Sequence, residues 1–197
     1  MSVNSEHTIF MNENNHTSKE RFDCEALVSE LNIDHGHYKT AEKPYGTDVT
    51  LSDNIQQSVD QMMQQWQHGG YFTNDSVEWI NFYPGEHFND SHVTKVAEQL
   101  NVTPKNVWVS AIRPGKCVPY HWDIETEADK WAAEGNLVRY TIFLETGKVG
   151  QVFIVGNKCF HMISQGTIYR WDKWDEYHLG FNCGFADKYV MHIVGIE

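Results

Sequence analysis

His121-Trp122-Asp123 sets an imidazole and a carboxylate one residue apart, and His178 follows 55 residues after the aspartate. On a strand, successive side chains alternate, so residues i and i+2 share a face and can reach one centre. The approach over 113–120, Arg-Pro-Gly-Lys-Cys-Val-Pro-Tyr, reads as turn and strand. A histidine from a distant strand then completes two nitrogens and one carboxylate oxygen, a facial set that holds Fe(II) and leaves three positions open. H-x-D alone arises by chance in many chains, so its weight depends on the residues around His178.

Residues 175–182 read Asp-Glu-Tyr-His-Leu-Gly-Phe-Asn. Lys188 comes ten residues after His178 and opens an alternating, β-branched stretch that predicts a strand. An inward cation there could pair with the far carboxylate of a dicarboxylate chelating the iron. In these residues the chain resembles the 2-oxoglutarate/Fe(II)-dependent oxygenases. Within them it is most similar to the aspartyl/asparaginyl β-hydroxylase group, with H-x-x-x-N at His178–Asn182 and a basic residue about ten positions on. The resemblance covers roughly residues 107–196. It implies His121, Asp123 and His178 as catalytic iron ligands, Lys188 as the 2-oxoglutarate anchor, and Arg139 as a second cosubstrate-binding residue. The chain departs from that pattern in three places. Lys188 stands where Arg is commoner, Val190 where Ser or Thr often follows, and Tyr120 precedes the first histidine.

Each residue also has a plain structural reading. Lys188 could snorkel from an edge strand. Arg139 could equally form a buried ion pair with an acid such as Glu145. His192 shares strand parity with Lys188 and either lines a pocket or packs in the core. Trp122, Tyr140 and Trp171 either shape an entrance or fill the interior. His35-Gly36-His37 reads as a loop with no acidic or Cys partner at a useful spacing. His7, His16, His68, His87 and His92 are single histidines and carry no functional weight.

The elements that must position these groups change character along the chain. Residues 53–66 carry Ile55, Val59, Met62, Met63 and Trp66 near helical spacing, with Asp53 as an N-cap and Gly69-Gly70 as a stop. A second helix is predicted over 91–100, and both read as supports on the outside of a sheet, with a Met-and-Trp stripe that belongs to the core. From 107 onward come eight short runs: 107–112, 118–123, 137–145, 151–155, 159–163, 167–171, 177–182 and 189–196. Gly-containing turns separate them, and 125–135 reads as a short helix or lid. The pattern predicts an all-β core with flanking helices, a double-stranded β-helix of the jelly-roll, cupin-like kind. The domain reading is a disordered tail over 1–20 and one oxygenase domain over 21–197. Its helical support spans about 21–105 and its catalytic β core about 107–197.

Composition bounds the function. The 197 residues suffice for one sizeable core. A formal net charge of −12 argues against general nucleic-acid binding. Four widely spaced cysteines form no C-x-x-C and suit a reducing cytosol, so the expected location is cytoplasmic. No apolar run approaches 18 residues, and neither a membrane span nor a signal peptide is expected. Together these readings predict a dioxygenase using Fe(II) and 2-oxoglutarate on a small-molecule or peptide substrate. Two other classes stay open: a cupin-type metal enzyme working without 2-oxoglutarate, and a jelly-roll ligand binder with no chemistry.

Overall fold

The computed structural model describes residues 22–41, 53–171 and 173–197, with backbone alone at 8–10 and 53–54. In chain order the elements are β1 (Thr8–Phe10), α1 (Cys24–Glu30), β2 (His37–Thr40), α2 (Asp53–His68), β3 (Glu78–Phe82), α3 (Asp90–Leu100) and β4 (Thr103–Ile112). There follow β5 (Lys116–His121), α4 (Ala128–Ala132), β6 (Leu137–Phe143), β7 (Gln151–Val155), β8 (Lys158–His161), β9 (Thr167–Arg170), β10 (His178–Asn182) and β11 (Lys188–Ile196). Seven strands form one antiparallel sheet in the order β1-β9-β6-β11-β4-β3-β2. Four form the other, β5-β10-β7-β8. The two sheets make a double-stranded β-helix, and each of the eight runs expected from the sequence is a strand of it.

Period-two alternation sorts the seven-stranded sheet into two faces. Ile80, Phe82, Val109, Ala111, Tyr140, Ile142, Met191 and Ile193 point outward and pack with Leu27 of α1 and Val96 and Ala97 of α3. Burying a side chain of this size contributes about 1.5–3 kcal/mol. The opposite face looks into the sandwich, where Phe143, Val190, Phe153, Phe160, Tyr169 and Trp171 fill the far end. α3 begins at Asp90, with Asn89 Oδ1 accepting from the Ser91 amide at 2.8 Å, and ends on Asn101 at φ 54°.

Three expectations need correction. The region 21–105 is not only helical, because β2 and β3 extend the large sheet beyond β4. His37 therefore belongs to a strand, where the backbone of Glu78–Phe82 pairs with it. α2 is not an outer support: Met62 and Trp66 pack with Val77, Trp79, Ile112 and Val118, closing the gap between the sheets. It stops where expected, with Gly70 at φ 75°, a conformation that glycine adopts without strain. Of its two readings Tyr140 takes the interior one, with its hydroxyl bonded to Glu197 in the outer core.

The expected tail over 1–20 lies outside the described residues except for β1, whose backbone pairs with β9. The Asp53 cap also lies outside the described side chains. Among the described residues no helix is long and apolar enough to cross a membrane. The four cysteines are unpaired.

Candidate metal centre

His121 ends β5 and His178 begins β10, and the two are direct partners in the ladder, with ring centroids 4.2 Å apart. A bulge lies one step further along, because His178 faces His121 while Gly180 faces Val118. Two residues of β10 are thus spanned by three of β5. The extra residue re-phases the strand, so that Val118 and His121 are both buried although their parities differ. Tyr120, between them, is exposed. Asp123 sits just past the end of β5, not on the strand.

The tautomers suit a metal. His121 Nδ1 lies 2.7 Å from the Pro119 carbonyl oxygen, and His178 Nδ1 lies 3.1 Å from that of Glu176. Each carbonyl can only accept, so each Nδ1 carries the hydrogen and each Nε2 keeps a lone pair. Those two Nε2 atoms lie 3.4 Å from Asp123 Oδ1 and 3.4 Å from Asp123 Oδ2 respectively. The three donors fall within 4.8 Å of one another. Ligands about 2.0–2.2 Å from a shared ion in neighbouring positions stand about 3 Å apart. The group therefore needs little movement to hold one.

Arg139 on β6 completes the arrangement from the opposite sheet. Its Nη2 is 2.5 Å from Asp123 Oδ2, and the side chain is 1 % exposed. Its guanidinium carbon lies 3.9 Å from the centre of the Trp171 ring and 5.0 Å from that of Trp108. Asp123 Oδ2 has this ionic contact but no well-aligned hydrogen bond. Burial pushes the Asp123 carboxyl up, but Arg139, His178 and His121 outweigh it and hold the group well below the usual carboxylate range. Burial, helped by His121, holds His178 well below the usual imidazole range, so it is neutral. Arg139 thus forms the buried ion pair of one of its two readings, with Asp123 as the acid rather than Glu145.

His192 stacks on Trp108 at 5.0 Å, and its Nδ1 faces Thr141 Oγ1 at 3.2 Å and Arg139 Nη2 at 3.3 Å. Burial and the nearby guanidinium keep it neutral. Trp171 donates from Nε1 to Thr141 Oγ1 at 2.9 Å and sets its edge against His178. Trp66 of α2 donates to the Tyr120 carbonyl at 3.0 Å and meets the His121 ring edge-on. Trp171 is thus a buried support of the site. Trp122 is half-buried and tilts against Tyr177 on the outside.

A cavity of about 160 Å³ opens from the three donors. Lys188 is not on its wall. The ammonium stands behind Gly180, 3.6 Å from where a Cβ on that glycine would lie, and donates to the Val152 carbonyl at 2.7 Å. Burial alone lowers its pKa to about 7. No carboxylate pairs with it among the described residues. The structure thus brings His121, Asp123, His178 and Arg139 together and leaves Lys188 one layer behind them.

Several wall residues were not anticipated: Lys39, Asn81, Tyr83, Asn106, Ser110 and Glu125. A signal for some of them was present. Asn106, Trp108, Ser110 and Ile112 alternate along β4, so polar residues fall at every other place on the inward face. Glu125 accepts at both oxygens from the Asn106 amide, at 3.0 and 3.1 Å, and burial raises its pKa to about 7.

A second group of possible donors, His37, Glu86 and His87, lies on the outside. His37 Nε2 is 2.8 Å from Glu86, the acidic partner that the spacing of residues did not reveal. His87 Nδ1 accepts from the Tyr83 amide and its Nε2 faces the His35 carbonyl, so its lone pair is already used. This group ties β2 to the turn after β3. His92, likewise structural, is buried and bonded to Glu30 at 2.9 Å.

No protein-family model matches the chain, and no curated protein matches it. Among solved structures it is similar to a viral collagen prolyl hydroxylase of Paramecium bursaria Chlorella virus-1, at 15% identity over 84% of this chain and 100% of that one, with TM-score 0.44. A prolyl hydroxylase from Trichoplax adhaerens shares 11% identity over 88% of each chain, with TM-score 0.41. A predicted oxalate decarboxylase from Thermotoga maritima shares 15% over 61% of this chain and 82% of that one, with TM-score 0.37. Such likeness is one of fold alone. The hydroxylases named are prolyl hydroxylases and lend no support to the aspartyl/asparaginyl subgroup.

Proposed function

We propose that this protein is a 2-oxoglutarate- and Fe(II)-dependent dioxygenase that hydroxylates an unactivated C–H bond of a small molecule or a peptide side chain. One observation carries the reading: two histidines with Nδ1 tied to backbone carbonyls and a buried aspartate offer three donors to one point. Two nitrogens and one carboxylate form the facial set suited to non-haem Fe(II). The chemistry that iron and 2-oxoglutarate supply when bound is O2 activation coupled to oxidative decarboxylation of the 2-oxo acid.

The chain's own residues do the rest. His121 and His178 turn Nε2 toward the centre, with Nδ1 of each held by a backbone carbonyl, and Asp123 supplies the negative charge. Arg139, shielded by Trp108 and Trp171, holds that carboxylate in place. Lys188 is a buried amine with one neutral acceptor, and a far carboxylate would supply the counter-charge that it lacks. Gly180 has no side chain to stand between the cavity and Lys188, and a Cβ there would already lie 3.6 Å from the ammonium. A second reading has its own support: because Lys188 stands behind the cavity wall, a metal enzyme of the cupin type could work without 2-oxoglutarate.

The two readings separate under argon. Mn(II) with 2-oxoglutarate should raise the melting temperature beyond Mn(II) alone, because a ligand of the folded state stabilises it by mass action. In air with Fe(II), the protein should convert 2-oxoglutarate to succinate. Metal binding with no effect of millimolar 2-oxoglutarate would leave the cupin-type reading.

A further inference from the structure

We propose that the cavity wall built by β2 and β3 binds a carboxylate of the substrate, through the Lys39 ammonium and the Tyr83 hydroxyl. This rests on the oxygenase reading and names the class of compound which that site takes.

Lys39 pairs with Trp79 across β2 and β3, and Trp79, Asn81 and Tyr83 line the same cavity as His121 and Asp123. Ser110 Oγ donates to Asn81 Oδ1 at 2.9 Å. Tyr83 follows Asn81 by two residues, lines the same cavity and sets its hydroxyl beside that amide side chain. No acid or backbone carbonyl accepts from the Tyr83 hydroxyl among the described residues.

Lys39 is also unspent. The chain has 27 acidic residues against 15 Lys and Arg, yet no acid or carbonyl pairs with Lys39 among the described residues. Nearby cations are taken: Arg113 lies 2.7 Å from Glu78, and Lys116 lies 3.8 Å from it. Partial burial also lowers the Lys39 pKa, as expected of an ammonium drawn away from water without a partner.

The wall elsewhere has the opposite character. Glu125 fills that end with a carboxyl of its own, both oxygens held by the Asn106 amide. The cation on the Lys39 side is the place that favours an anion, which orients a substrate within the cavity. Size narrows the class further. About 160 Å³ is well below the roughly 300–1,000 Å³ of ordinary ligand pockets. The fitting group is a compact acid, such as an Asp or Glu side chain or a small free carboxylic acid. It is distinct from the cosubstrate, whose proposed anchor is Lys188.

The test is calorimetric titration of the full chain under argon, loaded with Mn(II) and saturating 2-oxoglutarate. The titrants are the α-N-methylamides of N-acetyl-L-aspartate and N-acetyl-L-glutamate, whose only carboxylate is the side chain's, each against its side-chain amide. At least one acid should bind ~tenfold or more tightly than its amide, as expected for a hydrogen bond to a charged group. Lys39→Met should erase that preference and Lys39→Arg should keep it. Tyr83→Phe should weaken acid binding ~fivefold. The thermal shift from Mn(II) plus 2-oxoglutarate should be the same in Lys39→Met as in the natural protein. The proposal is overturned if no acid is preferred, if the preference survives Lys39→Met, or if that variant loses the 2-oxoglutarate shift. If 2-oxoglutarate gives no shift in the natural protein, the oxygenase reading fails. The same titration with Mn(II) alone then decides the role of Lys39.

Discussion

Arg139 reaches across the sandwich to Asp123: it belongs to the seven-stranded sheet, the carboxylate follows β5, an edge strand of the other, and Nη2 and Oδ2 stand 2.5 Å apart. The contact makes Arg139 a positioning residue for a candidate ligand. Outer-shell partners of this kind typically set 10–100-fold in metal affinity. Arg139→Met should therefore weaken Mn(II) binding by about that range, measured by titration followed by electron paramagnetic resonance. Unchanged affinity would remove Arg139 from the metal centre.

His178→Ala removes a donor rather than its support, and Mn(II) binding should be lost altogether. Circular dichroism should show the β-sheet signal retained. If the variant binds Mn(II) as tightly as the natural protein, His178 is not a ligand.

Lys188 gives a prediction on cosubstrate and one on pH. Lys188→Ala should raise the apparent 2-oxoglutarate constant by an amount equivalent to about 2–4 kcal/mol, and Lys188→Arg should keep part of the affinity. In the free protein the amine has a pKa of about 7, lowered by burial, against about 10.4 when unfolded. Between those values the unfolded chain binds more protons, so stability rises with pH across that window. The cost of burying the ammonium is on the order of 4–5 kcal/mol and is fully present below pH 7. Lys188→Met should thus melt above the natural protein at pH 6, with a gap that shrinks toward pH 10. A gap constant with pH would mean that the amine is not perturbed.

Gly180→Val should separate metal from cosubstrate. Even the first added carbon would lie 2.8 Å from Ile112 Cδ1 and 3.6 Å from Lys188 Nζ. Val should block the approach to the ammonium and abolish the 2-oxoglutarate thermal shift while leaving Mn(II) affinity within about twofold, since ligand geometry is untouched. A normal shift in this variant would put the cosubstrate elsewhere.

Asn182 tests structure alone. It is fully buried; its amide donates to the Ile112 and Ala186 carbonyls at 2.7 and 2.8 Å, and its Oδ1 accepts from Gly184 at 3.0 Å. Asn182→Ala leaves buried backbone groups unpaired, at about 1–3 kcal/mol each. Chemical denaturation should show that loss, with metal affinity retained in the folded fraction.

The sequence by itself determined the eight strands from 107 onward and the chemical types. Alternation over 107–112 and 189–196 follows from which residues can be buried on one face of a pleat, and His121, Asp123 and His178 stand out by type. Local patterns of this kind are set by a few neighbouring residues. Only the tertiary structure decided how the pieces meet. The bulge in β5 adds one residue between Val118 and His121, and that shift turns His121 toward His178. Spacing in H-x-D cannot reveal it, because register depends on the partner strand. The pairing of Arg139 with Asp123 instead of Glu145, and the place of Lys188 behind Gly180, are likewise set by contacts between sheets. Lys39 and Tyr83 lie on β2 and beside β3, in a region read as helical support, and sheet pairing alone brought them to the cavity. Charge and hydrogen-bond partners distant in sequence are chosen by packing, and a linear pattern does not encode them.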